Sequence, residues 1–163
     1  LEAWCLSRVD RVLVIIRADD HALQVLLQNI RQRLSFEIVL ADAPPEMKDS
    51  FAAGWTYLQE SSELSGNDVI LMAPADMPHL SSAIINQLLD FHPQHPDSIL
   101  APEYQGRRGH PALFPETIAQ AVSQLTSEQG LNTLWEQFPH HSVVVDTDDS
   151  FGDFDTPQDW PTQ

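Results

Sequence analysis

Three short loci concentrate the residue types that can do chemistry. The first is Asp76, which follows an apolar run directly in Met72-Ala-Pro-Ala-Asp-Met-Pro78 and has a proline on either side to stiffen its turn. A carboxylate held there suits Mg²⁺, which keeps several waters and takes one or two protein carboxylates together with substrate phosphates. The same position also suits an ordinary helix cap or turn aspartate. The second locus is Asp146-Thr-Asp-Asp-Ser-Phe-Gly-Asp-Phe-Asp-Thr-Pro157. Counted as a calcium loop from Asp146, it puts Phe151 where a glycine is needed and Pro157 where a bidentate glutamate is needed, so that reading fails. What survives is that Asp153 and Asp155 alternate as on an extended segment, so that one of them can face Asp76 across a cleft, while Thr156-Pro157 begins a helix. A solvated acidic loop is the competing reading.

The third locus is Gly106-Arg-Arg-Gly-His-Pro-Ala-Leu-Phe-Pro115. Guanidinium forks suit phosphate or carboxylate groups, and Gly106 and Gly109 let the backbone approach a ligand closely. His110, just before Pro111, is either a ligand contact or a turn histidine. The paired histidines, in His92-Pro-Gln-His95 and His140-His141, have no metal-site partners at useful spacing and read as solvated surface.

The elements that must position these loci alternate. Arg11 to Arg17 is a β-branched apolar run, the pattern of a strand covered on both faces. Asp19-Asp20 offers a helix cap, and Leu23, Leu26, Leu27, Ile30 and Leu34 recur at helical spacing up to a second strand, Phe36 to Ala41. Phe51, Trp55 and Leu58 mark a further helix, followed by a strand over 68–73. Ser81 or Ser82 caps a helix with Ile84, Ile85, Leu88 and Leu89 inward, ending before His92-Pro93, and Ser98 to Ala101 is extended. A loop over 102–108 carries both late arginines, and 110–114 is extended. Ile118, Val122 and Leu125 suit a helix, Leu131, Leu134, Trp135 and Phe138 another, and 143–145 is the last strand. This alternation predicts an α/β fold with a mainly parallel, Rossmann-like sheet and helices on both faces, with ligands at the carboxyl ends of strands.

Composition narrows the function classes. The chain has 163 residues, 42% of them apolar and 20% charged, enough for one core, and contains no internal repeat. No apolar run reaches the roughly 18 residues that cross a bilayer, which excludes a membrane partner. The 24 acidic residues against 8 basic ones give a net charge of −16, which repels nucleic acid. Six of the basic residues lie at or before Lys48, the only lysine; beyond it stand only Arg107 and Arg108, so this pair is the one place where the later chain can meet an anion. Cys5 is the sole cysteine, reads as a buried thiol, and suits a reducing cytoplasm.

Together the loci resemble the nucleotidyltransferases of molybdenum cofactor maturation, the MobA/MocA-like NTP transferases. The Ala-Asp-x-Pro turn of that family is matched by Ala75 to Pro78, its Gly-Arg-Arg-Gly-His-Pro stretch by Gly106 to Pro111, and its closing Asp-x-Asp-Thr-Pro by Asp153 to Pro157. The glycine-histidine-proline form is more similar to the cytidylyltransferase branch. Weaker likeness lies in Met47 to Gly54, which includes Ser50 and is similar to a segment that approaches the nucleotide, and in Glu128 to Gly130 before a helix. The resemblance implies that Asp76 holds the Mg²⁺ bridging the nucleotide phosphates, that Asp155 or Asp153 completes the metal and catalytic site, and that Ser50 and Ala75 flank the nucleotide. It further implies that Arg107, Arg108, Gly109, His110 and Pro111 line the side of a molybdopterin-type acceptor, whose phosphate attacks the α-phosphorus of CTP or GTP.

One feature departs from the family. Its opening strand and glycine-rich phosphate loop, with their Ser, Arg and Lys residues, have no counterpart here, and Lys48 lies elsewhere. The expectation is one nucleotidyltransferase-like domain over residues 1–163, N-terminally incomplete. Two other readings stay open: a non-catalytic relative that binds a cofactor or partner, and a metal-dependent nucleotide-sugar transferase.

Overall fold

The computed structural model describes residues 1–42, 44, 46–61 and 64–147. After a short helix, α1 (Glu2–Cys5), the strands β1 (Leu13–Arg17) and β2 (Glu37–Ala41) pair in parallel, Leu13 opposite Glu37 and Arg17 opposite Ala41. The crossover between them is α2 (His21–Ile30), started by Asp20, whose Oδ1 accepts from the Leu23 N–H at 3.0 Å. Leu23, Leu27 and Ile30 pack on Ile16, Phe36 and Ile38, the face that the helical spacing predicts.

A long helix, α3 (Met47–Ser61), leans on this strand pair so closely that a Cβ on Gly54 would come within 3.2 Å of Ile15 Cδ1. A polar tie reinforces the contact. Arg11 donates to both oxygens of Glu37, at 2.8 and 2.9 Å, and the Tyr57 hydroxyl on α3 donates to the same carboxylate at 2.9 Å. This fork holds the Glu37 carboxyl below the usual glutamate range, through hydrogen bonds from Arg11 first.

The second sheet has the order β3 (Val69–Met72), β6 (Ala112–Pro115), β4 (Ile99–Tyr104), β5 (Arg107–Arg108), with β7 (His140–Val144) also on β4. Alternation along its strands separates two cores. Ile99, Ala112 and Phe114 face Phe51 and Trp55 of α3, Ile118 of α5 (Glu116–Ala119) and Leu134 of α6 (Asn132–Gln137). Leu100, Leu113 and Val143 face Leu88 of α4 (Ser82–Phe91), which Ser81 caps by accepting from the Ile84 N–H. Helices therefore cover both faces, and the fold is mixed α/β.

The sheet is less parallel than the alternation predicts. The β1–β2 and β4–β7 pairs are parallel, but β6 runs antiparallel between β3 and β4. The reason is the route of the chain: β6 follows the β4–β5 turn with no helix between, and a parallel strand needs a crossover of a dozen residues or more. Nor is β1 covered on both faces. Among the described residues β1 pairs with β2 alone and β3 with β6 alone, which leaves Leu13 to Ile15 and all of β3 half-buried. The helix expected across Ile118 and Val122 is short: after α5 the chain tightens into a 3₁₀ turn, Gln120–Gln124, where the Ser123 hydroxyl donates back to the Gln120 carbonyl at 2.7 Å.

Candidate active site

The arginine locus is a hairpin rather than the expected loop. Gln105 and Gly106 both have positive φ, 50° and 77°, and such a two-residue turn matches the twist of the strands it joins. It pairs Glu103 with Arg108 and Tyr104 with Arg107. Because side chains alternate along a strand, the two arginines separate to opposite faces. The Arg108 guanidinium lies 4.0 Å from the centre of the Trp135 ring, while Arg107 is exposed and its guanidinium makes no ion pair among the described residues. The chain then returns through Gly109, whose N–H donates to the Pro102 carbonyl at 2.9 Å, and a cis His110–Pro111 bond into β6.

Arg108, Gly109 and His110 open on a pocket of about 630 Å³. Met72, at the carboxyl end of β3, and Ala112 and Phe114 of β6 line it; Glu46, Met47 and Lys48 contribute from the start of α3, and Gly130, Leu131, Asn132, Trp135 and Glu136 from α6 and the turn before it. His140 completes the wall, with its ring 5.6 Å from Trp135 and at 68° to it. This size suits a ligand of several rings or groups. Its floor is aromatic, its rim carries Arg108, and Met72 sets it beside the carboxyl end of β3, the end of a strand that the fold class reserves for ligands.

Lys48 is the most constrained charge in the site. Buried at the start of α3, its Nζ donates to the carbonyls of Thr126, Ser127 and Gln129 at 3.0, 2.9 and 2.6 Å and lies 3.1 Å from Glu46 Oε2.

The family model of the MobA-like NTP transferase domain matches residues 1–143. The chain belongs to that family. It is accordingly an enzyme of the nucleotidyltransferase class with a nucleoside triphosphate as substrate. No curated protein sequence matches it. Among solved structures, Rv0371c of Mycobacterium tuberculosis H37Rv, in complex with manganese, superposes with a TM-score of 0.66 at 18% identity, over 94% of this chain and 77% of that one. The 4-diphosphocytidyl-2C-methyl-D-erythritol synthase of Anaerococcus prevotii DSM 20548 gives 0.70 at 14% identity, over 93% and 78%. Molybdopterin-guanine dinucleotide biosynthesis protein A of Archaeoglobus fulgidus gives 0.57 at 15%, over 90% and 73%. These likenesses show a shared fold.

The residues singled out in the sequence fall into three groups. Arg108, Gly109 and His110 meet at the pocket, and Pro111 is fully buried behind them. Ala75 and Asp76 are exposed in the turn after β3, and Ser50 is half-buried in α3, none of the three in the pocket wall. Asp153 and Asp155, with the expected sharing of one metal ion with Asp76, lie outside the described residues. Sequence reasoning missed Lys48, Asn132, Glu136 and His140 as pocket residues and read Trp135 only as one of the apolar residues of a helix. His95 also departs from a solvated surface reading: its ring stacks on Phe91 at 4.8 Å and meets His141 at 3.9 Å. The signal available for Lys48 was its being the only lysine of an acidic chain.

Proposed function

We propose that this enzyme transfers a nucleoside monophosphate from CTP or GTP to a phosphorylated, molybdopterin-type acceptor, with Mg²⁺ and release of pyrophosphate, in a cytoplasmic setting. The observation that carries the reading is the pocket itself, an aromatic floor with a guanidinium at its rim at the carboxyl end of β3. A flat heterocycle packs against the aromatic wall, and an anionic substituent meets the N–H groups of Arg108, whose guanidinium already covers one face of the Trp135 indole. In the transfer, an acceptor phosphate oxygen forms its bond to the α-phosphorus as the bond from that phosphorus to the bridging oxygen breaks. Pyrophosphate leaves with the electron pair. The attacking oxygen is already anionic, so the protein has to align and neutralise rather than to abstract a proton.

Among the described residues no group of three or more His, Cys, Asp or Glu side chains can hold a metal ion. A single carboxylate such as Asp76 nevertheless fits Mg²⁺ that arrives on the triphosphate, because phosphates and waters fill the other positions. The manganese complex of Rv0371c supports a divalent ion here. Bound so, the ion supplies charge neutralisation at the phosphates, and Asp153 or Asp155 is proposed as its second carboxylate. Pyrophosphate release with Mg²⁺, each nucleoside triphosphate in turn and molybdopterin as acceptor tests the assignment. Turnover with CTP or GTP that requires molybdopterin supports it; turnover with a sugar phosphate or a methylerythritol phosphate instead overturns the acceptor.

A further inference from the structure

Lys48 has a coordination sphere, not merely an ion pair. Three carbonyls of one turn, Thr126, Ser127 and Gln129, converge on its Nζ at 3.0 Å or less, and Glu46 stands at 3.1 Å. Convergent carbonyl dipoles repel one another, so this turn conformation needs a cation at its centre. The turn has some support of its own: Gln129 N–H donates to the Thr126 carbonyl at 3.1 Å, and Gln129 Oε1 accepts from the Thr126 N–H at 3.0 Å. Neither bond satisfies the three inward carbonyls together.

The turn leads directly into the pocket wall. Gly130, Leu131, Asn132, Trp135 and Glu136 line the pocket from that side, Glu46, Met47 and Lys48 from the other, and Trp135 carries Arg108. We propose that Lys48 is a positioning residue that fixes both walls of the pocket, acting as a tethered cation in a carbonyl cage at the entry to α6. The inference rests on the proposed function only where it concerns the acceptor; the cage itself does not depend on it. Removing the ammonium leaves the Ser127 and Gln129 carbonyls without that donor and Thr126 with the Gln129 N–H alone, which loosens the turn leading to Trp135, while the backbone pairing of β4 and β6 and the core on Leu88 do not depend on it.

Chemical rescue tests this in Lys48→Ala. Amide exchange at residues 129–135 is expected to accelerate about tenfold relative to the unchanged protein, with β4 and β6 unaffected. Propylammonium, which has N–H donors, restores slow exchange; tetramethylammonium at equal ionic strength does not. Under turnover, KM for molybdopterin rises more than KM for the nucleotide, and propylammonium reverses the rise. Exchange unchanged at 129–135, a rise spread equally over β4 and β6, or equal rescue by both cations overturns the proposal. Should the alanine variant not fold, Lys48→Arg replaces it: its guanidinium keeps the charge but cannot place three donors on one point, so exchange at 129–135 rises and β4 stays protected, and exchange equal to the unchanged protein overturns the inference. Absence of turnover by the unchanged protein counts against the proposed function alone, since the exchange and rescue measurements still decide the role of Lys48.

Discussion

At the scale of single residues, the two adjacent arginines do different work because a strand holds them. Arg108 stacks on Trp135 at the pocket, whereas Arg107 is exposed and outside it. Arg108→Gln is therefore expected to weaken binding of the phosphorylated acceptor by roughly 1.5 to 3 kcal/mol, the worth of a charged hydrogen bond, and Arg107→Gln by under about 1 kcal/mol. Arg108→Lys should recover only part of the loss, because an ammonium has no planar face to lay on the indole. Calorimetric titration with acceptor and with nucleotide separately checks this; equal losses for the two variants, or for the two ligands, refute the split. Charge arithmetic alone could isolate the pair but not separate it. What separates it is the two-residue turn at Gln105-Gly106, and the sequence carries only a faint sign of that, since Gln is an uncommon residue at positive φ.

At the scale of elements, turns and ties place the site. Gly106 has φ 77° with open space around its missing Cβ, so Gly106→Ala suffers from backbone strain rather than from a clash. The expected cost is about 1 to 2 kcal/mol, with loss of the β4–β5 register and hence of Arg108 from Trp135, seen as a change in tryptophan emission and in melting temperature. The Arg11–Glu37–Tyr57 tie gives a pH dependence with a definite sign. The folded carboxyl titrates below its unfolded range, so its contribution is present above the unfolded glutamate pKa, near 4.3, and is lost as pH falls through the lower folded value. For a partly exposed fork the amount is about 1 kcal/mol. Unfolding free energies measured from neutral pH down to about pH 3 should fall less steeply in Glu37→Gln than in the unchanged protein, and parallel curves refute the tie. Helices α2, α3 and α4 were legible because each has an apolar face at the right period and two have side-chain caps. The antiparallel β6 was not, since a short apolar run has the same pattern in either direction and only the missing crossover decides.

At the scale of the whole molecule, the net charge of −16 sets how ligands arrive. The charge was fully legible in the sequence, but its consequence at the site was not, because two opposite effects meet there. At a distance, an anionic nucleotide or acceptor sees a repulsive field; at contact, it meets Arg108 and the aromatic floor. Ionic strength separates the two by range. The Debye length shrinks from about 30 Å at 0.01 M to about 8 Å at 0.15 M, which removes the long-range repulsion while leaving contacts of a few ångströms largely intact. The association rate of an anionic ligand should therefore rise by several-fold over that range, opposite to the fall seen in electrostatically steered binding, while dissociation changes less. Stopped-flow mixing monitored by tryptophan fluorescence measures both rates. The double variant Arg107→Gln, Arg108→Gln supplies the control: with the local cations gone, repulsion acts at every distance, so its association rate should be slower throughout and climb more steeply with salt. A rate that falls with salt in the unchanged protein would mean that a basic approach path outweighs the overall charge, and would sink the argument from net charge.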